Sequence, residues 1–95
     1  MNLGKVVGTV VSTRKEPVLD GIRFLLVRLV DTDGKETPSF VVAADAMGAG
    51  PGEMVLTAAG SSARQTTMTD KKPVDNVIMA IVDTWEVNGE TKYTK

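Results

Sequence analysis

Residues 22–30, Ile22-Arg23-Phe24-Leu25-Leu26-Val27-Arg28-Leu29-Val30, decide the fold. The run is apolar on both sides of an extended chain except at Arg23 and Arg28. These two are an odd number of positions apart, so in a strand they point to opposite faces. A strand apolar on both faces predicts one face on a core and the other partly covered by a neighbour. Turn chemistry brackets the run, with Leu19-Asp20-Gly21 before it and Asp33-Gly34 after it. Asp-Gly is a strong hairpin signal, because glycine takes positive φ at little cost.

Outward from this centre the same pattern repeats. Residues 5–13 (KVVGTVVST) predict a first strand, bent at Gly8 and broken by Glu16-Pro17. Residues 39–44 (SFVVAA) predict a third strand and residues 54–59 (MVLTAA) a fourth. Residues 61–65 fit a short helix capped by Ser61 or Ser62, and residues 73–76 a single helical turn opened by Pro73. Residues 77–87 (VIMAIVDTWEV) predict one long fifth strand, and Asn88-Gly89 turns it into a sixth over residues 90–95. Five or six strands with one short helix predict a small OB-like β-barrel, mainly all-β, with an open sandwich as the other possibility.

Composition agrees with strands and narrows the function. The 95 residues contain 14 Val, 3 Ile and 11 Thr, side chains that suit a pleated surface. A single domain over residues 1–95 follows from the length. There is no Cys and no His, so thiolate metal sites, thiol nucleophiles and Ser-His-Asp chemistry within the chain are excluded. Eleven Lys and Arg against twelve Asp and Glu leave a net charge of −1, without the basic surplus of a typical nucleic-acid binder. No run is long enough for a signal-peptide core or a membrane span, so no membrane and a cytoplasmic, soluble product are expected. A small barrel built from Val and Ala buries little area per residue, so oligomerisation is expected to bury more.

The segments that invite chemistry have plainer readings. Gly48-Ala49-Gly50-Pro51-Gly52-Glu53 lacks the Lys-Ser or Lys-Thr of a P-loop and has the wrong glycine spacing, so it is read as a tight connection with Glu53 bonded locally. Gly60-Ser61-Ser62-Ala63-Arg64 offers hydroxyls without an activating base, and its arginine is expected to pair with a carboxylate or carbonyl. Asp45, Asp75 and Asp83 lack the dense spacing of a hard-metal loop. No catalytic residue, cofactor or metal is assigned, and the chain is read as not an enzyme. OB-like barrels can bind single-stranded nucleic acid or another ligand, which stands as the alternative function. Against it, basic residues are scattered, Phe24 and Phe40 read as core, and only Trp85 and Tyr93 remain as stacking candidates.

The ordered segments resemble a known family. They run Gly4-Lys5-Val6-Val7-Gly8-Thr9-Val10-Val11, Thr13-Arg14-Lys15, Leu19-Asp20-Gly21, Ala44-Asp45, Gly48-Ala49-Gly50 and Gly52-Glu53. Gly60-Ser61-Ser62-Ala63-Arg64, Pro73-Val74-Asp75 and Ile81-Val82-Asp83 complete the set. Over about residues 1–87 this is similar to the EutN/CcmL family, the pentameric vertex proteins of bacterial microcompartment shells. The hairpin arm at residues 88–95 is the part least constrained by the resemblance.

The resemblance implies an OB-like barrel assembling as a cyclic homopentamer, which meets hexameric shell proteins at the vertices of a polyhedral shell in the bacterial cytoplasm. A fivefold ring is one heterologous contact repeated until it closes, so each subunit needs two different complementary surfaces. By the same resemblance, Gly60, Ser61, Ser62 and Arg64 are expected near the fivefold axis and its pore. Gly48, Gly50, Gly52 and Glu53 are expected at a subunit or facet interface, with Arg14 and Lys15 as further edge contacts.

Overall fold

The computed structural model describes residues 1–95. Five strands close into a barrel: β1 (Asn2–Val10), β2 (Phe24–Val30), β3 (Glu36–Asp45), β4 (Met54–Ala59) and β5 (Asn76–Ile81), in the order β1-β2-β3-β5-β4. All neighbours are antiparallel except β3 and β5, which run parallel at Ala44↔Val77 and Asp45↔Ile78. The expected OB-like barrel is present. Its short helix at Gly60–Arg64 is a single 3-10 turn, and a second 3-10 turn spans Pro17–Leu19.

Strand ends differ from expectation where pairing partners run out. The long strand expected over residues 77–87 is two elements, β5 and then β6 (Thr84–Val87). Ile81 pairs with Val55, and Val82 N–H donates to Met54 O, in the first residue of β4, at 2.8 Å. Beyond that bond β4 has ended, and the chain leaves the barrel. The first strand stops at Val10, opposite Phe24 where β2 begins, rather than continuing to Thr13. The third begins early and runs through Pro38, at an irregularity in its pairing with β2. Proline costs little at such an edge position.

Two further expectations are corrected. Neither Ser61 nor Ser62 caps the 3-10 turn; its N-cap is Ala59, without a side-chain bond. Pro73 opens no helical turn, because residues 73–75 are tied into packing and loop bonds instead. Val74 is buried, its carbonyl accepts from Arg64, and the Asp75 carbonyl accepts Gly60 N–H at 2.8 Å.

The core is thin: 17 of 95 residues are buried, consistent with a barrel lined mainly by small side chains. Val6, Leu25, Val27, Ala43, Val55 and Ile78 fill the barrel, and Ala49 from the β3–β4 loop packs among them. A second cluster of Ala44, Ala58, Ala63, Val74 and Val77 lies under the Gly60–Arg64 turn, flanked by Leu19, Ile22 and Phe24. Alternation on β2 puts Leu25 and Val27 inside, and leaves Phe24 and Leu26 half-buried on the outer side.

The C-terminal hairpin, β6 with β7 (Glu90–Thr94), forms its own two-stranded sheet outside the barrel. Asn88 and Gly89 have φ of 52° and 81°, the doubly positive pair that a type I′ turn requires. Trp85 and Tyr93 stack with centroids 4.9 Å apart, and Trp85 Nε1 donates to Thr32 O at 2.7 Å. That bond and the Lys92–Asp33 ion pair at 3.3 Å anchor the hairpin to the β2–β3 turn. Its two aromatic residues are spent on each other and on this anchor.

Candidate functional site

Residues 46–53, which join β3 to β4, are organised by one buried carboxylate. Asp45 Oδ1 accepts the amides of Met47 and Gly48 at 2.9 Å and of Ala49 at 3.2 Å. Its Oδ2 meets Arg23 Nη1 at 3.3 Å, and Arg23 also donates to Ala49 O. At the other end of the loop Glu53 Oε1 accepts Gly50 N–H at 2.6 Å, and Glu53 Oε2 lies 3.4 Å from Lys95 Nζ. Gly52 N–H donates to Val6 O, and Glu53 O accepts Val6 N–H, which fastens the loop to β1. The local bonding expected of Glu53 is what the structure holds. Asp45, read from sequence as an ordinary turn residue, organises the whole connection.

The Gly60–Arg64 turn presents Ser61 and Ser62 to solvent while Ala63 is buried beneath them. Arg64 Nη1 donates to Val74 O at 3.4 Å, the carbonyl pairing expected of it. Behind it a hydroxyl pair, not singled out from the sequence, fixes the turn. Buried Thr69 donates its proton to Ala63 O at 2.6 Å and accepts from Thr66 at 2.5 Å. Arg14 and Lys15 lie on the exposed β1–β2 loop, with Lys15 3.6 Å from Asp20. The structure therefore holds the expected site residues in three separate loops of one subunit rather than in one site.

The outer side of β1, β2 and β3 is a second feature, and here one reading is corrected. Phe40, expected in the core, is 49% exposed and lies on the outer side of the sheet, with the Arg28 guanidinium 5.0 Å from its ring centroid. Val42 on the same strand and Val10 on β1 are also exposed. Inward and outward positions alternate along β3, so Val41 and Ala43 take the core and Phe40 and Val42 cannot.

The model of the EutN_CcmL family, described as ethanolamine utilisation protein EutN/carboxysome, matches residues 1–83. The chain belongs to the EutN/CcmL family. It is similar to the carboxysome shell vertex protein CcmL of Gloeobacter violaceus, at 47% identity over all of this chain and 95% of that one. The solved structure of Gloeobacter violaceus CcmL superposes with a TM-score of 0.96, covering 100% of this chain and 98% of the other. The microcompartment shell vertex protein PduN of Salmonella typhimurium is 46% identical over 88% of this chain and 97% of its own length. GrpN from Rhodospirillum rubrum, solved as a pentameric microcompartment shell protein, is 42% identical with a TM-score of 0.84, over 92% of this chain and 99% of its own. The EutN/CcmL match ends near the hairpin, which the carboxysome relative nevertheless matches along with the barrel.

Proposed function

We propose that this protein forms a homopentamer that caps the vertices of a carboxysome-type microcompartment shell in the bacterial cytoplasm. The observation that carries the pentamer is the pentameric GrpN structure, which shares this fold at 42% identity over 92% of the chain. The carboxysome type is supported by the match to Gloeobacter CcmL, at 47% identity over the whole chain and a TM-score of 0.96.

The function is geometric. A flat layer of hexagonal tiles cannot close on itself, and fivefold units at the corners supply the missing curvature. Such a unit needs correct edges rather than a reaction, which suits a chain without Cys or His and with nearly balanced charge. The partners are then four further copies and the hexameric shell proteins around them. Gly48, Gly50, Gly52, Glu53, Arg14 and Lys15 are the edge candidates, and Gly60, Ser61, Ser62 and Arg64 the candidates for the fivefold axis. The test is reconstitution with a hexameric shell protein: tiles alone should form open sheets or tubes, and added pentamer should give closed particles. Particles that close equally well without this protein would contradict the reading.

A further inference from the structure

We propose that Asn88 is a site of spontaneous modification, at which the side-chain amide is lost as ammonia and an aspartyl or isoaspartyl linkage is left in the hairpin turn. The reaction is a ring closure. The Gly89 backbone nitrogen bonds to Asn88 Cγ, the Cγ–Nδ2 bond breaks, and ammonia departs with the proton that the nitrogen gives up. Water then opens the five-membered imide at either carbonyl. One opening restores an ordinary aspartyl backbone, and the other routes the chain through Cγ. Attack by a backbone nitrogen is hindered by the side chain of its own residue. The three asparagines are followed by Leu3, Val77 and Gly89, so only Asn88 faces an unhindered nitrogen. Asn2 is also held in β1 opposite Thr57, and Asn76 in β5 opposite Ala59, whereas Asn88 is exposed at the tip of the hairpin. Asp20 and Asp33 precede glycine as well, but an ionised carboxylate offers no leaving group comparable with ammonia.

The fold sets the rate. Asn88 has φ of 52°, and a residue in the left-handed region carries the next nitrogen nearly opposite its own Cβ. While the turn is closed, Gly89 N cannot reach Cγ, and ring closure waits on local opening of the hairpin. A lone two-stranded hairpin is marginal, so its opening is governed by what docks it. Here that is the Trp85 bond to Thr32 O, the stack on Tyr93 and the Lys92–Asp33 ion pair. The two products then differ in effect. Asp-Gly suits the same two-residue turn as Asn-Gly, so the aspartyl product keeps the hairpin. The isoaspartyl linkage adds a backbone methylene between Val87 and Glu90, which pair directly across the turn, and it breaks either the turn or that register. Both products also place a new carboxylate in sequence between Glu86 and Glu90, where Glu90 already shares Lys92 with Asp33. A change at one linkage thereby releases the arm from the barrel.

The test follows the native wild-type protein, the Trp85→Ala variant and the wild-type chain in urea at one mildly alkaline pH. Peptide mapping reads the mass gain at each asparagine, and a protein isoaspartyl methyltransferase with a labelled methyl donor reads the isoaspartyl product. Conversion should be confined to Asn88, slowest in the native protein, several-fold faster in Trp85→Ala and fastest in urea. Chains carrying the isoaspartyl linkage should lose amide protection over Thr84–Val87 and Glu90–Thr94, whereas Asn88→Asp should keep it. An Asn88 that stays intact in urea would overturn the site. Equal rates in the native protein and in urea would overturn control by the fold, and a Trp85→Ala variant no faster than the wild type would remove the anchor from it. Isoaspartyl chains with native protection would overturn release of the arm. Should Trp85→Ala lose the barrel as well, the ratio of native to urea rates still decides the question.

Discussion

Arg23 and Asp45 meet at 3.3 Å where β3 ends, and the pair links the entry to β2 with the start of the β3–β4 loop. Asp45 is 4% exposed, yet none of its acceptor capacity is wasted: one oxygen faces the guanidinium and the other gathers three consecutive amides. Those amides turn the chain so that Ala49 enters the barrel core. A loop that looked from its glycines like a possible anion cradle has its anion built in.

Removing that anion should be expensive. Asp45→Ala leaves three amides and a guanidinium without their acceptor, at an expected cost of about 2–4 kcal/mol. Asp45→Asn keeps one carbonyl oxygen for the amides and should cost less. Urea denaturation at one fixed protein concentration measures both, since an oligomer's stability depends on concentration. An Asp45→Ala variant as stable as the wild type would remove the carboxylate from its organising role.

Glycine's conformational freedom is needed in the same loop at Gly48 and Gly52, with φ of 73° and 86°. Gly50 does not share that need, and a Cβ there would rest at an ordinary 3.5 Å from Glu53 Oε1. Gly52→Val should therefore cost about 2 kcal/mol from backbone strain alone, since nothing crowds the site. Gly50→Ala should stay within about 0.5 kcal/mol of the wild type. Thermal melts that rank the two variants the other way would refute this assignment.

A third glycine is required for space. A Cβ on Gly4 would run into Val27 Cγ1 and approach Arg28 O at 3.2 Å. Gly4→Ala should cost about 1–3 kcal/mol through overpacking. A second substitution, Val27→Ala, removes the obstructing methyl and should recover part of the loss. Strictly additive losses in the double variant would show that the two positions do not compete for the same space.

The hairpin depends on Trp85. Its bond to Thr32 O and its stack on Tyr93 hold a two-stranded sheet that is marginal by itself. Trp85→Ala should release amide protection across Thr84–Val87 and Glu90–Thr94 while the barrel amides keep theirs. Hydrogen exchange resolves the two regions. Equal loss throughout the chain would mean that the hairpin and barrel unfold as one unit.

Much of this was legible in the sequence. β4 runs over the residues its pattern predicts, because Gly52-Glu53 and Gly60 bound it on both sides. Asn88-Gly89 marked the hairpin, since few dipeptides tolerate two positive φ angles in succession. The break after Ile81 was not legible, as Val82 extends the apolar run, no glycine or proline follows before Gly89, and only the end of the neighbouring strand ends the ladder. Phe40 misled because alternation was hidden in an apolar run: Phe40, Val41 and Val42 look alike in sequence, and only the register sends the middle one inward. The roles of Asp45 and Thr69 depend on contacts made after folding, and their residue types are common in loops.

A vertex role requires that this chain close into a fivefold ring. Native mass spectrometry of the purified protein at several concentrations measures that closure. A dominant species at five times the 10.1 kDa chain mass, persisting on dilution, is expected. A monomer or dimer that stays the same across the concentration range would contradict it.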